Sequence, residues 1–463
     1  MVGAAFDRLQ KFNFMSKLKI SGKELRKIGY PESKAIGMAI NVAHQLFKRE
    51  KKETVLATLK DVLENQEKYA SHEQLSRIVA ELQALKPPEP VAKRALLPAG
   101  KTYKTYGLDN IEQGAIEQMD IAMRLPVTVE GALMPDAHQG YGLPIGGVLA
   151  TENAVIPYGV GVDIGCRMCL TLYDLKPEFL EKNRSKLQIV LQENTRFGVE
   201  VHAKPMDDPI FERPEFKEIP VPKQLKDRAF RQIGSSGSGN HFVEFGIVSI
   251  PVRQPELNIE PGEYLAVLSH SGSRNLGANI AKYYTDLAMK NCPLPKDAKH
   301  LAWLDLDTEE GQEYWLAMNL AGDYASACHH HIHRRLGAAL GEQPILLVEN
   351  HHNFAWKEKL SDGREVIVHR KGATPAGEGV LGIIPGSMVA PGYIVRGKGN
   401  PVSINSASHG AGRVMSRKRA LNSTTMHELK KVLKEHEVDL IGGGLDESPI
   451  AYKDIRKVMD YQK

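Results

Sequence analysis

The sequence predicts an α+β protein, with a small N-terminal helical domain followed by a large mixed α/β domain. Three observations carry that reading: helical periodicity through the first ninety residues, a proline run that ends it, and a change of texture beyond the run to short apolar segments cut by glycine-rich turns.

The helical part comes first. Ile36, Ile40, Ala43 and Phe47 recur at helical spacing, as do Val55, Leu59, Val62 and Leu63, and Ser21 with Glu24 matches a capping box. In Lys86-Pro87-Pro88-Glu89-Pro90 each proline lacks an amide donor and biases its predecessor toward extended geometry, so a helix cannot continue there. The expected organisation is a helical accessory domain over 1–86, a proline-rich linker over 87–98 and the large domain over 99–463. In that large domain LPIGGVLATENAVIPYGVGVDIG and GEYLAVLSHSGSRNLG read as buried strands with tight turns, alternating with helical stretches at Ala278 to Met289 and Gly311 to Leu336.

Composition sets bounds rather than a function. At 463 residues the chain can bury a sizeable core. No run approaches the roughly 18 apolar residues of a membrane span, and the opening MVGAAFDRLQKFNF lacks a signal-peptide core, so a cytoplasmic protein that makes no membrane contact is expected. Four cysteines are too few for a disulfide scaffold in a chain of this size. The net charge of +4 is concentrated: Met1 to Pro90 carries 16 Lys+Arg against 11 Asp+Glu, and the remainder is 44 against 45. That excess suits either a packing module or one that grips an anionic polymer.

The residues able to do chemistry stand beside glycine and asparagine at the ends of apolar runs, where sites are usually built. They are Asp136 and His138 in MPDAHQGYGLPIGG, Asp163 and Cys166 in GVGVDIGCRM, His241 in SGSGNHFVE, His270 in LSHSGSR and His352 in VENHHNF. Carboxylate, thiolate and imidazoles form a metal set of mixed hardness, and Gly165 permits the turn that lets Asp163 and Cys166 reach one point. A thiolate can bridge two ions, and a pair of ions suits the charge of a transferring phosphoryl group. Taken singly, each histidine is an ordinary core or surface residue.

Two other cysteine and histidine patterns draw the eye. Cys166 and Cys169 form a CxxC, but no second CxxC and no thioredoxin-like pattern accompanies it, so Cys169 is expected as a small buried apolar group. In Cys328-His329-His330-His331-Ile332-His333 successive side chains of a helix fan apart and only pairs such as His329 and His333 share a face, so a partly exposed helix surface is expected. In SASHGAGRVMSRKRA, His409 precedes Gly410, Ala411 and Gly412 and a basic run containing Arg413, Arg417, Lys418 and Arg419. Small residues there admit a phosphate, a helix beginning near Gly412 would point its positive end at it, and the histidine could attack phosphorus. IIPGSMVAPGY is a further candidate phosphate or nucleoside loop.

These segments, in this order from about Ala99 to the C-terminus, resemble the RtcB family of tRNA-splicing and RNA-repair ligases. The resemblance implies that Asp163, Cys166 and His241 hold one manganese ion, and Cys166, His270 and His352 a second. It implies that His409 attacks the α-phosphorus of GTP to form a histidine-guanylate, with Asn240, Phe242, Val243, Glu244, Asn353, Pro385, Gly386, Ser387, Met388, Gly410, Ala411 and Gly412 lining the guanylate pocket. Arg274 and Arg413 would contact RNA. The substrates implied are RNA ends carrying a 2′,3′-cyclic phosphate or 3′-phosphate and a 5′-hydroxyl, and an archease-type activator is a possible partner in that family.

Three departures from the family pattern stand out. Arg167 replaces a glycine after Cys166, which would place a cation beside the bridging thiolate; Gly392 stands where a serine is frequent; and the chain ends at Lys463 before the family's terminal guanine-contacting lysine, leaving Lys453 or Lys463 as substitutes. A metal-dependent RNA end-processing hydrolase that does not ligate is the competing reading. It needs the metals but not His409.

Overall fold

A computed structural model describes residues 20–47, 50–85 and 92–463. The opening stretch Met1–Phe14 and the proline run Lys86–Pro90 lie outside these residues. The chain divides into two compact units, Met1–Pro90 and Val91–Lys463.

The first unit is helical, with helices Gly22–Lys27, Lys34–Leu46, Lys52–Glu64, Gln66–Tyr69 and Ser76–Ala84. Ser33 caps the second by accepting from the Ala35 amide at 3.1 Å. Its buried seam is Ala35, Ala39, Val42 and Ala43, so the larger Ile36, Ile40 and Phe47 flank the core instead of filling it. Small residues on the seam let neighbouring helices approach, and Val55, Leu59, Val62 and Ile78 complete the core.

The second unit is organised by two sheets. One has five strands in the order Lys104–Thr105, Thr128–Tyr141, Leu143–Thr151, Glu365–Lys371, Asn353–Lys359; its first pair is parallel and the rest antiparallel. The other has four antiparallel strands in the order Phe242–Ile250, Gly262–Ser271, Arg167–Tyr173, Pro344–His351. Arg274–Asn291 and the 32-residue Glu309–Leu340 are the long helices, the latter capped by Thr308, whose hydroxyl accepts from Gly311 N. Both contribute apolar faces to the main core with Trp303, Tyr284, Tyr314 and Tyr324. No described helix is long and apolar enough to cross a membrane.

The two sheets meet through one residue. Pro344–His351 belongs to the four-stranded sheet and Asn353–Lys359 to the five-stranded one, so His352 alone makes the step between them. Its N–H donates to Cys166 O at 3.0 Å and its carbonyl accepts from Gly372 N at 2.8 Å. Nearby, Gly165 N donates to Asn353 O at 2.8 Å and Gly165 has φ +69°. A Cβ there would lie 2.8 Å from Gly322 Cα, where Glu309–Leu340 passes beneath the turn.

The histidine tract on that long helix corrects the expectation of a partly exposed surface. His329, His331 and His333 are buried, because this helix packs under the four-stranded sheet and needs polar partners inside, which it finds in Ser269, Ser271, Thr171 and Asp208.

The turn at Gly165 supplies a test of the seam. Gly165→Ala combines a left-handed backbone with a steric overlap, so it is expected to cost about 2–4 kcal/mol, read as a lowered denaturant midpoint of the full chain. An unchanged midpoint would show that this turn does not hold the sheets together.

Candidate active site at the junction of the sheets

Strand register brings the metal-type residues to one edge. Phe242 pairs with His270, Met168 pairs with His270 and Asn350, and Arg167 pairs with Ser271 and His351. His241 and Cys166 immediately precede their strands, His270 is next to last in its strand, and His352 follows its strand, so four chain segments deliver one donor each to the same place. Cys166 Sγ lies 3.2 Å from His270 Nε2 and 3.4 Å from His241 Nε2, and the Nε2 atoms of His270 and His352 are 3.2 Å apart. Asp163 closes the set, its Oδ2 lying 2.9 Å from His241 Nε2.

This donor set fits a divalent metal. Bond lengths of about 2.0–2.3 Å put ligand atoms of one ion roughly 3–3.5 Å apart, which is the spacing observed. His270 Nδ1 is 2.8 Å from Asn240 O and donates to it, leaving Nε2 as a lone pair facing the cluster. Burial pushes the His270 pKa down to about 3 and that of His352 well below the usual value, so both rings are neutral donors near pH 7. The Cys166 thiol is driven well up by burial and by the Asp163 charge, so binding a metal must displace its proton. Burial alone would raise the Asp163 carboxyl, but the hydrogen bond and charge of His241 outweigh it and hold the carboxyl below its ordinary range.

His409 arrives from the other side. Ser408 pairs with Ala373, next to the glycine that binds the His352 carbonyl, and this sets the His409 ring 5.1 Å from the His352 ring, centre to centre. Gly372 has φ +61°, and a side chain there would press on both Ile145 and His409. The His409 Nδ1 is 2.6 Å from Asp136 Oδ2, which also accepts from the His409 amide at 3.1 Å. Asp136 is fully buried, and Lys453 donates to the carbonyls on either side of it, at 2.6 Å to Ala137 and 3.3 Å to Pro135. Sequence reasoning placed Asp136 only in the general His, Cys and Asp series. Its pairing with His409, 273 residues away, left no trace in local spacing.

The loops expected to bind a nucleotide are partly assembled. Gly410 packs against Pro385, with Pro385 O 3.4 Å from the position of a Cβ, so the Pro385–Met388 turn and the 410–412 turn adjoin. A Cβ at Gly392 would lie 3.3 Å from Pro385 Cα, which leaves little space for a serine. Asn240 accepts from Arg417 at 3.2 Å, Phe242 packs against the His270 ring, Val243 is half-buried and Glu244 is exposed. The Asn353 amide is spent on backbone, donating to Asp163 O at 3.4 Å and accepting from Gly372 N at 2.9 Å.

The structure corrects the expected helix start and the placement of Arg167, and gives several basic residues partners within the protein. The helix after His409 begins at Arg417, capped by Ser416, and not near Gly412. Gly412 has φ +75° and sits against Asp136 O, a conformation outside the α-helix. Arg274 is buried and donates to Gly198 O at 2.5 Å and Ser235 Oγ at 3.2 Å, while Arg413 is held by Glu447 at 3.0 Å and by Asp446 O at 2.6 Å. Both guanidinium groups are engaged within the protein. Lys453 is likewise committed to carbonyls, and Lys463 pairs with Asp460 at 2.5 Å. Strand alternation sends Arg167 to the face opposite Met168, where it bonds Glu349 at 3.0 Å and Gly322 O at 3.2 Å instead of standing over the thiolate.

Comparison with known proteins bears on most of the second unit. The family described as tRNA-splicing ligase RtcB matches residues 118–220 and 214–463. The RNA-splicing ligase RtcB of Escherichia coli K12 is 33% identical over 384 residues, covering 76% of this chain and 90% of its own length. The tRNA-splicing ligase RtcB of Methanococcus maripaludis is 32% identical over 427 residues, covering 76% and 88%, and that of Thermococcus kodakarensis is 29% identical over 419 residues, covering 75% and 86%.

The orientation of Arg167 separates a structural effect from a metal effect. Arg167→Ala removes one partner of a largely buried ion pair and is expected to cost about 3 kcal/mol in unfolding, while manganese affinity of the Cys166 cluster, read by titration calorimetry in a Cys169→Ser background, is unchanged. A changed metal affinity with unchanged stability would return the guanidinium to the metal side.

Proposed function

The chain belongs to the RtcB family of RNA-splicing ligases, and from that premise we propose that it is a GTP- and manganese-dependent ligase joining RNA 2′,3′-cyclic phosphate or 3′-phosphate ends to 5′-hydroxyl ends. The observation that most supports this reading is the buried Asp136 anchoring His409 beside the cluster of Asp163, Cys166 and three histidines.

The chemistry follows from what each group can do. Asp136 accepts from Nδ1–H of His409, which leaves the Nε2 lone pair as the nucleophile and stabilises charge that the ring acquires. Attack by Nε2 on the α-phosphorus of GTP breaks the bond to the β-phosphate, expels pyrophosphate and leaves a histidine-guanylate. An RNA 3′-phosphate, formed where needed by opening a cyclic phosphate with water, takes the guanylyl group and frees His409. The 5′-hydroxyl then attacks the activated 3′-phosphate, forms the phosphodiester and releases GMP. Manganese held by Asp163, Cys166 and His241, and by Cys166, His270 and His352, would neutralise charge on the phosphoryl groups in transfer.

In this reading Asn240, Phe242, Val243, Glu244, the Pro385–Met388 turn and the 410–412 turn form the guanylate pocket, with Asn353 as a positioning residue. An end-processing hydrolase would also use the metal cluster. It has no need for a histidine held by a buried carboxylate, and that pair favours the ligase.

Protein incubated with manganese and α-³²P-GTP is expected to retain label on a denaturing gel, through a bond stable to alkali and broken by acid. His409→Ala and Cys166→Ala should retain none. Labelled His409→Ala protein would contradict the assigned nucleophile, and an unlabelled wild type with metal bound would favour the hydrolase. Asp136→Asn, which can no longer hold the ring in the required tautomer, should slow label formation by about 10²–10⁴-fold. A rate equal to wild type would remove Asp136 from the chemistry.

A further inference from the structure

A second group of metal-type side chains lies on the opposite face of the four-stranded sheet. The strand period of two turns His270 toward the cluster described above and sends Ser269 and Ser271 to the other face, where Cys169 pairs with Ser269 across the strands. The helix Glu309–Leu340 crosses that face and presents His329 and His333, one turn apart. Ligand atoms of Cys169, His329 and His333 lie within 4.8 Å of one another, and all three residues are buried.

The ring nitrogens converge. Ser269 Oγ is 2.6 Å from His329 Nδ1 and 2.7 Å from His333 Nε2. The outer nitrogens each have an oxygen partner, with His333 Nδ1 at 2.7 Å from Thr171 Oγ1 and His329 Nε2 at 3.2 Å from Ser271 O. Outer partners of this kind fix the tautomer of a metal-binding histidine. When both outer nitrogens donate, two lone pairs face one serine hydroxyl, which has a single proton to give.

We propose that Cys169, His329 and His333, with Ser269 Oγ as the fourth donor, form a closed structural zinc site that fastens the long helix to the underside of the catalytic sheet. One thiolate and two imidazoles are a zinc-type set, and burial of every ligand marks a structural centre. Binding releases the Cys169 thiol proton to solvent and forms a sulfur–metal bond in its place. The site is independent of the ligase reading, since none of its residues belongs to the cluster around Cys166. Its place beneath His270, whose two neighbours it engages, makes it a brace for that ligand's strand.

The test uses full-length Cys166→Ser protein, which removes the cysteine of the other Cys and His cluster. With cobalt(II) this protein is expected to show a thiolate-to-cobalt charge-transfer band and the strong visible bands of tetrahedral cobalt. Both should be lost in Cys166→Ser/Cys169→Ser protein. The same Cys166→Ser protein should retain about one zinc equivalent per chain through mild chelation. Absence of the band and of retained zinc in folded Cys166→Ser protein overturns the proposal and leaves a metal-free chain of hydrogen bonds from Thr171 to Ser271. A band that persists without Cys169 overturns it equally. The first of these readings keeps Cys169 in place, so it decides the matter even where the double variant does not fold.

Discussion

The backbone of His352 is the constraint on which the active-site region rests. A chain that leaves one sheet and enters another within a single residue exposes peptide groups that neither ladder can satisfy, and buried peptide groups need partners. Here Cys166 O takes the His352 N–H, and the His352 carbonyl takes Gly372 N. Those two bonds tie the thiolate turn and the His409 approach to the same residue that supplies an imidazole. Of the metal-type side chains His270 lies within its strand and Cys166, His241 and His352 stand next to strand ends, while Asp163 sits in the turn before Cys166 and His409 follows the short strand Ser406–Ser408.

Electrostatics divides the site into two acid and histidine pairs. Asp163 faces His241 at 2.9 Å within the metal-type cluster, and Asp136 faces His409 at 2.6 Å beside it. Both carboxyls are held below their ordinary range by their histidines in spite of burial. Asp136 has in addition a lysine bound to the carbonyls on either side, so its negative charge is maintained where His409 must stay oriented. The one carboxylate stands in the turn before Cys166 and the other within the strand Thr128–Tyr141, so different elements give them different surroundings.

Much of this was legible in the sequence, and what was not has physical reasons. The strand at Gly262–Ser271, the helix over Gly311 to Leu336 and the turn at Gly165 followed from periodicity and from glycine placed beside chemistry-bearing residues. The metal-type set was visible because each member ends an apolar run, and the structure brings those members together. The Asp136–His409 pair was not, since a contact between residues so far apart in the chain depends on the Ala373–Ser408 pairing, which no local pattern encodes. Burial of the histidine tract was missed because helix periodicity counts histidine as polar. The sheet above supplies the hydroxyls that let His329 and His333 be buried. Arg167 was placed beside the thiolate by adjacency in sequence, and the strand's alternation turned it away.

Under the proposed function the metal-type cluster and His409 act together to seal RNA and not only to process its ends. A single-turnover reaction decides it, with an RNA ending in a 2′,3′-cyclic phosphate, a second ending in a labelled 5′-hydroxyl, manganese and GTP. A joined product is expected, and it forms only when GTP is present. Conversion of the cyclic phosphate to a 3′-phosphate with no joined strand, at a rate indifferent to GTP, would contradict it.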